Sequence, residues 1–117
     1  MREVGFRWWT AYELDERGFD VCLAEVIEAA RGWEHVFLSI DIDALDPAFA
    51  PGTGTPEPGG LSTAQAFTLL EELSVLPFVG MDCVEVAPVY DHQELTSLAA
   101  AQMVWTWLAG RVRARST

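Results

Sequence analysis

Two short apolar runs, Val36-Phe37-Leu38-Ser39-Ile40 and Val79 to Val86, flank a helix-patterned stretch, and this spacing constrains the fold more than any other feature. Apolar runs of that length between turn signals read as strands buried in a sheet. A connection long enough to hold a helix makes such strands pair in parallel, through a right-handed crossover. Val4 to Trp9 is a third candidate strand. The stretches between carry helix signals. Thr10-Ala11-Tyr12-Glu13 is a capping box, and Gly18 ends the short helix that follows. Asp20 suits the N-cap of a second helix, in which Val21, Ala24, Ile27 and Glu28 keep helical spacing up to Gly32. Ser62 and Gln65 form another capping box, opening a helix to about Leu73. The last helix is expected from about Glu94 to Ala109, with Gly110 at its C′ position. The expected architecture is α/β, a three-layer α/β/α arrangement on a parallel sheet of about three strands, with residues 1–117 in a single domain.

Sites in parallel sheets gather at the carboxyl ends of strands. Beyond the first apolar run, from Asp43 to Gly60, lies a segment without periodicity that contains Pro47, Pro51, Pro56 and Pro58 with Gly52, Gly54, Gly59 and Gly60. A loop of that length inside a small domain points to function, and its composition gives it a stiff path. The last helix is apolar nearly all round, with Leu95, Leu98, Ala101, Trp105 and Leu108 on one side and Ala100, Met103, Val104 and Trp107 on the other. Such a helix is expected to be buried on more than one face.

Charge narrows the partners. With 18 acidic residues against seven basic ones, all arginine, the formal net charge is −11. Most of the carboxylates belong to a solvated surface. The balance argues against a nucleic-acid partner and is compatible with a cationic substrate or with metal ions. No apolar run approaches the roughly 18 residues of a membrane span. No secretory h-region follows Met1, which makes the cytoplasm the expected compartment. Cys22 and Cys83, far apart in sequence and not in a C-x-x-C spacing, read as buried free thiols of a reducing compartment.

The sharpest chemical feature is Ser39-Ile40-Asp41-Ile42-Asp43 at the end of an apolar strand. Alternate residues of a strand face the same way, so Asp41 and Asp43 are expected to project together. Adjacent carboxylates repel, and a cation between them relieves the repulsion. Oxygen donors of this kind suit Mg²⁺, Ca²⁺ or Mn²⁺. The other reading of the pair alone is an acidic strand end that caps a helix or faces solvent.

The continuation favours the metal. Asp43-Ala-Leu-Asp46-Pro47-Ala-Phe-Ala-Pro51-Gly52-Thr-Gly54-Thr-Pro56-Glu57-Pro58-Gly59-Gly60 resembles the carboxy-terminal signature of the arginase/agmatinase (ureohydrolase) family. The Ala-Pro-Gly-Thr-Gly-Thr-Pro run is similar to the agmatinase branch, as are Val79-Gly80-Met81-Asp82-Cys83-Val84-Glu85-Val86-Ala87-Pro88 and Tyr90-Asp91-His92. The resemblance implies a binuclear manganese centre that lowers the pKa of a water, which hydrolyses a guanidino compound to urea and an amine. By position, Asp41 matches the carboxylate that bridges the two Mn²⁺ ions and Asp43 a ligand of one of them. Glu85 matches the acid that receives the guanidinium, a planar cation that pairs naturally with a carboxylate. Asp41 and Glu85 are thus the candidate catalytic residues, and Asp41 and Asp43 the metal ligands.

His92 and Asp91 are expected to be structural or to orient neighbours. His35 reads as a surface residue and Asp46, before Pro47, as a turn residue. The family's other four metal ligands lie upstream, in segments of the G-G-D-H-S and D-x-H-x-D types that do not occur here. The chain is therefore expected to be a carboxy-terminal part of a longer domain, inactive alone, with agmatine as the default substrate and a homo-oligomer as the complete form. The alternatives are a non-catalytic subunit or half of a split ureohydrolase, and a small acidic metal-binding module.

Overall fold

A computed structural model describes residues 4–116. Its elements run α1 (Ala11–Arg17), α2 (Phe19–Ala29), β1 (Val36–Asp41), α3 (Thr63–Leu73), β2 (Phe78–Val84) and α4 (Leu95–Arg115), with short 3₁₀ turns at Ile42–Ala44, Pro88–Tyr90 and His92–Glu94. The α/β class and the parallel pairing are as expected. β1 lies beside β2 with Leu38 opposite Met81, Ile40 opposite Cys83 and Asp41 opposite Val84.

Local chemistry explains the helix starts. The Glu13 N–H donates to Thr10 Oγ1 at 3.1 Å while the Thr10 N–H donates to Glu13 Oε2 at 2.8 Å. Ser62 and Gln65 repeat the arrangement at 3.1 and 3.0 Å ahead of α3. Both boxes satisfy amides that a helix start otherwise leaves unpaired. Gly18 ends α1 at φ 96° and is also the N-cap of α2. Asp20 therefore falls in the first turn of α2 rather than at its cap, where its charge still suits the helix dipole.

Several expectations give way to tertiary structure. Residues 4–9 form no strand, and the described residues hold a sheet of two strands rather than three. The α3 and α4 helices pack on one face of the sheet through Leu38, Ile40, Met81 and Cys83, with a core of Ile42, Leu45, Ala66, Leu70, Ala99 and Met103. A second cluster joins Leu23 of α2 and Ala30 at its C-cap to Leu73, Leu76 and Phe78, and Trp107 packs edge-on to Phe78 at 6.1 Å. The opposite face carries Phe37, Ser39, Asp82 and Val84, all exposed, so among the described residues the expected three layers are represented by two. The α4 helix runs through Gly110 to Arg115 instead of stopping at Ala109. A Cβ on Gly110 would lie 2.9 Å from the Ser74 Cβ, so this glycine serves close packing. The Arg111 guanidinium continues the helix against the α3–β2 turn, donating to the Leu76 carbonyl at 3.0 Å. Only one side of α4 is buried, at Thr96, Ala99, Ala100 and Met103; Leu98 and Trp105 on the other side are exposed.

Candidate active site

The Asp41-Ile42-Asp43 unit is placed by its middle residue. β1 ends at Asp41, and the chain turns at once into the 3₁₀ turn Ile42–Ala44. Ile42 is wholly buried in the core beneath the sheet, and Leu45 beside it is nearly so. Driving these two inward leaves Asp41 and Asp43 at the rim. Their proximity therefore comes from a turn and not, as expected, from a continuing strand. The Asp43 N–H donates to Asp41 Oδ1 at 3.1 Å. Thr55, from the proline- and glycine-rich loop, donates its hydroxyl to Asp43 Oδ2 at 3.0 Å.

Glu85 follows the last residue of β2, and since Asp41 is opposite Val84, it comes next along the neighbouring strand. Its φ of 71° is in the left-handed region, unusual for a side chain other than glycine. Such conformations cost about 1–3 kcal/mol and gather at functional sites. The Asp41 carboxyl senses the other two. Desolvation, then the charges of Asp43 and Glu85, push the Asp41 carboxyl above its ordinary range, against the opposing hydrogen bond from the Asp43 N–H. Among the described residues the ion pairs are Arg17–Glu25 and Arg31–Glu28, and neither involves this rim.

The loop that carries Thr55 is pinned at both ends. Asp46, expected as a turn residue, accepts from the Ala48 N–H at 2.8 Å and the Gly59 N–H at 2.9 Å, and these bonds, with that of Gly60, lower its carboxyl. Leu45 pairs with Leu61 as an isolated parallel bridge, and a Cβ on Gly60 would lie 2.6 Å from the Ala44 carbonyl oxygen. In the middle, the Gly52 N–H donates to buried Thr96 Oγ1 at 2.7 Å, and the Gly52 carbonyl accepts from the Ala87 N–H at 2.8 Å. The loop is thereby tied to α4 and to the segment just after Glu85.

Asp91 has the structural role expected of it. Its carboxylate accepts from the Thr96 and Ser97 N–H groups, both at 2.8 Å, and from Ser97 Oγ at 2.6 Å, which caps the start of α4. Burial raises its carboxyl, but these bonds outweigh it and hold the group at about 2. His92 and His35 are both exposed, His35 just before β1. Cys22 is fully buried, whereas Cys83 is half-buried; burial, then the charges of Asp82 and Asp41, push its thiol up and keep it protonated.

Sequence reasoning missed Thr55, Thr96 and the Ser39 hydroxyl that donates to Asp82 at 2.7 Å across the open face. The Thr-Gly-Thr stretch in a stiff loop was the signal for the first; the others depend on register and packing. A cleft of about 570 Å³ near Trp9, Glu13, Arg17 and Glu25 holds none of the candidate residues, which stand on an open rim.

The described residues contain no group of three or more histidine, cysteine or acidic side chains placed to hold a metal ion. Asp41 and Asp43 thus fit a hard divalent cation in kind, as oxygen donors under mutual repulsion, and fall short of a full set in number.

Parallel strands paired beneath two helices, with acidic residues at their carboxyl ends beside a stiff loop, define an α/β protein whose candidate site is at that edge of the sheet. The Arginase family model matches residues 1–110, and the chain belongs to that family. It is 52% identical over 100 residues to the agmatinase of Photorhabdus laumondii, covering 86% of this chain and 32% of that protein. The solved proclavaminate amidino hydrolase of Streptomyces clavuligerus superposes with a TM-score of 0.90 at 42% identity, over 97% of this chain and 38% of its own. The agmatine ureohydrolase of Thermoplasma volcanium superposes at 0.80 with 36% identity, over 92% and 35%. The chain therefore spans about a third of the length of these relatives. No helix among the described residues is long and apolar enough to cross a membrane.

Proposed function

We propose that this chain supplies one part of the active site of an agmatinase-like ureohydrolase, which cleaves a guanidino compound such as agmatine to urea and an amine. The observation that carries the reading is that Asp41 and Asp43, at the end of β1, and Glu85, just after the neighbouring β2, stand at the same edge of the sheet. The agmatinase likeness supports it.

Asp41 and Asp43 would hold Mn²⁺. When bound, the ions supply a water acidic enough to attack at neutral pH and polarise the group attacked. Asp43 enters with one oxygen already held by Thr55, which limits the rotation of its carboxylate. Glu85 accepts N–H donors of the guanidinium and turns its carbon toward the Asp41–Asp43 rim. The net charge of −11 draws a cationic substrate toward that rim. With two carboxylate ligands and, among the described residues, no third metal-binding side chain beside them, this chain by itself would not turn over substrate. Assembly of the complete enzyme as a homo-oligomer in the cytoplasm belongs to the same proposal and rests on the family resemblance.

The test is a chimera in which this chain replaces the matched 100 residues of the Photorhabdus laumondii agmatinase. With Mn²⁺ it should release urea from agmatine. Asp43→Ala should lose metal and nearly all turnover. Glu85→Gln should keep the metal and lose at least about tenfold in kcat/KM, because a hydrogen bond to a charged group contributes about 1.5–3 kcal/mol. Unchanged kcat/KM in Glu85→Gln for every guanidino compound tried would remove the substrate site from this account.

A further inference from the structure

Thr96 is a fully buried polar residue in the first turn of α4, and its bonds reach toward both sides of the candidate site. Its Oγ1 accepts the Gly52 N–H at 2.7 Å, and its own N–H donates to Asp91 Oδ1 at 2.8 Å. Burial raises the Asp91 carboxyl, and bonds from Ser97 and then from Thr96, its hydroxyl included, bring it down. A hydroxyl can accept from one partner while donating to another, and a valine of nearly the same shape can do neither. Gly52 is itself buried, so losing the hydroxyl leaves its N–H unpaired in the interior.

Two short paths lead from this hydroxyl to the rim. Forward from Gly52 the loop reaches Thr55, whose hydroxyl donates to Asp43 Oδ2 at 3.0 Å. Across from it, the Gly52 carbonyl accepts the N–H of Ala87 at 2.8 Å, two residues past Glu85. The segment from Glu85 to α4 follows a backbone path that needs support. Glu85, Gln93 and Glu94 have φ of 71°, 52° and 61°, and they are the non-glycine residues of positive φ among those described. Such conformations persist where the surrounding contacts over-determine them. Here those contacts are the Asp91 cap, the Thr96 hydroxyl and the Gly52–Ala87 bond. A Cβ on Gly52 would lie 2.7 Å from the Asp91 Cβ, so loop and segment touch directly.

We infer that Thr96 is a positioning residue of the candidate site: its buried hydroxyl, through Gly52 and Asp91, fixes the loop that steadies Asp43 against the segment that presents Glu85. The inference rests on the proposed function, because it concerns how the guanidinium acceptor stands relative to the proposed metal ligands. A guanidinium held by Glu85 reacts only if its carbon is brought to the Asp41–Asp43 rim. A small displacement of one against the other lowers turnover without removing either.

The experiment compares Thr96→Val and Thr96→Ser in two settings. In the 117-residue chain, NMR follows hydrogen exchange of the Gly52 and Ala87 amides and the HN–Hα coupling of Glu85, which reports its φ. Thr96→Val should quicken exchange at Gly52 at least about tenfold, quicken it at Ala87 as well, and move the Glu85 coupling. Thr96→Ser, which keeps the hydroxyl, should match the parent. In the Photorhabdus laumondii agmatinase chimera with Mn²⁺, Thr96→Val should lower kcat/KM for agmatine at least about tenfold with bound Mn²⁺ unchanged, and Thr96→Ser should restore it. Leu76→Ala, which truncates a buried side chain of the second cluster, controls for stability alone. Assayed below its melting temperature, it should keep the parent's kcat/KM. Unchanged Ala87 exchange and Glu85 coupling in Thr96→Val overturn the inference. So does an equal loss of kcat/KM in Leu76→Ala, or a loss in Thr96→Val that follows loss of Mn²⁺. A parent chimera that releases no urea counts against the hydrolase reading, and the measurements on the chain still decide whether Thr96 positions Glu85.

Discussion

On one face of the two-stranded sheet, Leu38, Ile40, Met81 and Cys83 lie under α3 and α4; on the other, Phe37, Ser39, Asp82 and Val84 face outward. The same strands produce both, because neighbouring side chains point to opposite faces. The closed face holds the fold: its core is continuous from Ile40 through Ala66 and Leu70 to Met103. The open face leads to the candidate site: Asp41 ends the row that starts at Phe37. Ile42 and Leu45 join the two, since burying them is what turns the chain and leaves both carboxylates at the rim. Core and candidate site are thus divided by strand parity, with buried Ile42 and Leu45 at the turn between them.

That division is broken or sharpened first by a matched pair of truncations. Ile42→Ala removes a wholly buried side chain and should cost about 2–5 kcal/mol. Phe37→Ala removes a larger ring from the open face and should change stability by no more than about 0.5 kcal/mol. Denaturant titrations of the two variants read the difference directly. Equal costs would mean that the open face carries the fold as much as the closed one.

A smaller effect is expected where the loop is tied to α4. A Cβ on Gly52 would lie 2.7 Å from the Asp91 Cβ and 2.8 Å from its Cα, an obstacle that no side-chain rotation removes. Gly52→Ala should therefore destabilise by about 1–3 kcal/mol, as overpacking does. It should also loosen the loop that delivers Thr55 to Asp43. Exchange of the Ala87 amide, which donates to the Gly52 carbonyl, should quicken in step.

The smallest effect is in the acid limb. Hydrogen bonds from Ser97 and Thr96, outweighing burial, hold the Asp91 carboxyl at about 2, well below the ordinary range of an aspartate. A depressed carboxyl contributes stability in full above its unfolded value and loses it as pH falls through the folded one. Stability should decline from about pH 4 toward pH 2 through this group, and Asp91→Asn should flatten that part of the curve. A thermal-melt series across the range, run on both proteins, compares the slopes.

Much of this was legible in the sequence because it is local. Both capping boxes need only residues three apart, and both formed with their expected partners. The α/β class followed from the spacing of the apolar runs, and the arginase family from the Asp41–Gly60 signature. What failed depended on distant partners. Nothing near Val4–Trp9 says that no strand lies beside it, and Gly110 looks like a helix end until Ser74 packs against it. Asp41 and Asp43 were recognised as a pair for the wrong geometric reason, since strand alternation and a 3₁₀ turn write the same Asp-x-Asp. Thr55 and Glu85 differ in the same way. Glu85 has a place in the family pattern, whereas the bond from Thr55 to Asp43 appears only once the loop has folded back across twelve positions.

If the open rim is part of a cation site rather than a whole one, Mn²⁺ calorimetry on the 117-residue chain should find one weak site at most. Asp43→Ala should abolish it, because among the described residues Asp41 and Asp43 have no third metal-binding side chain beside them. Two tight sites per chain would contradict that reading of the rim.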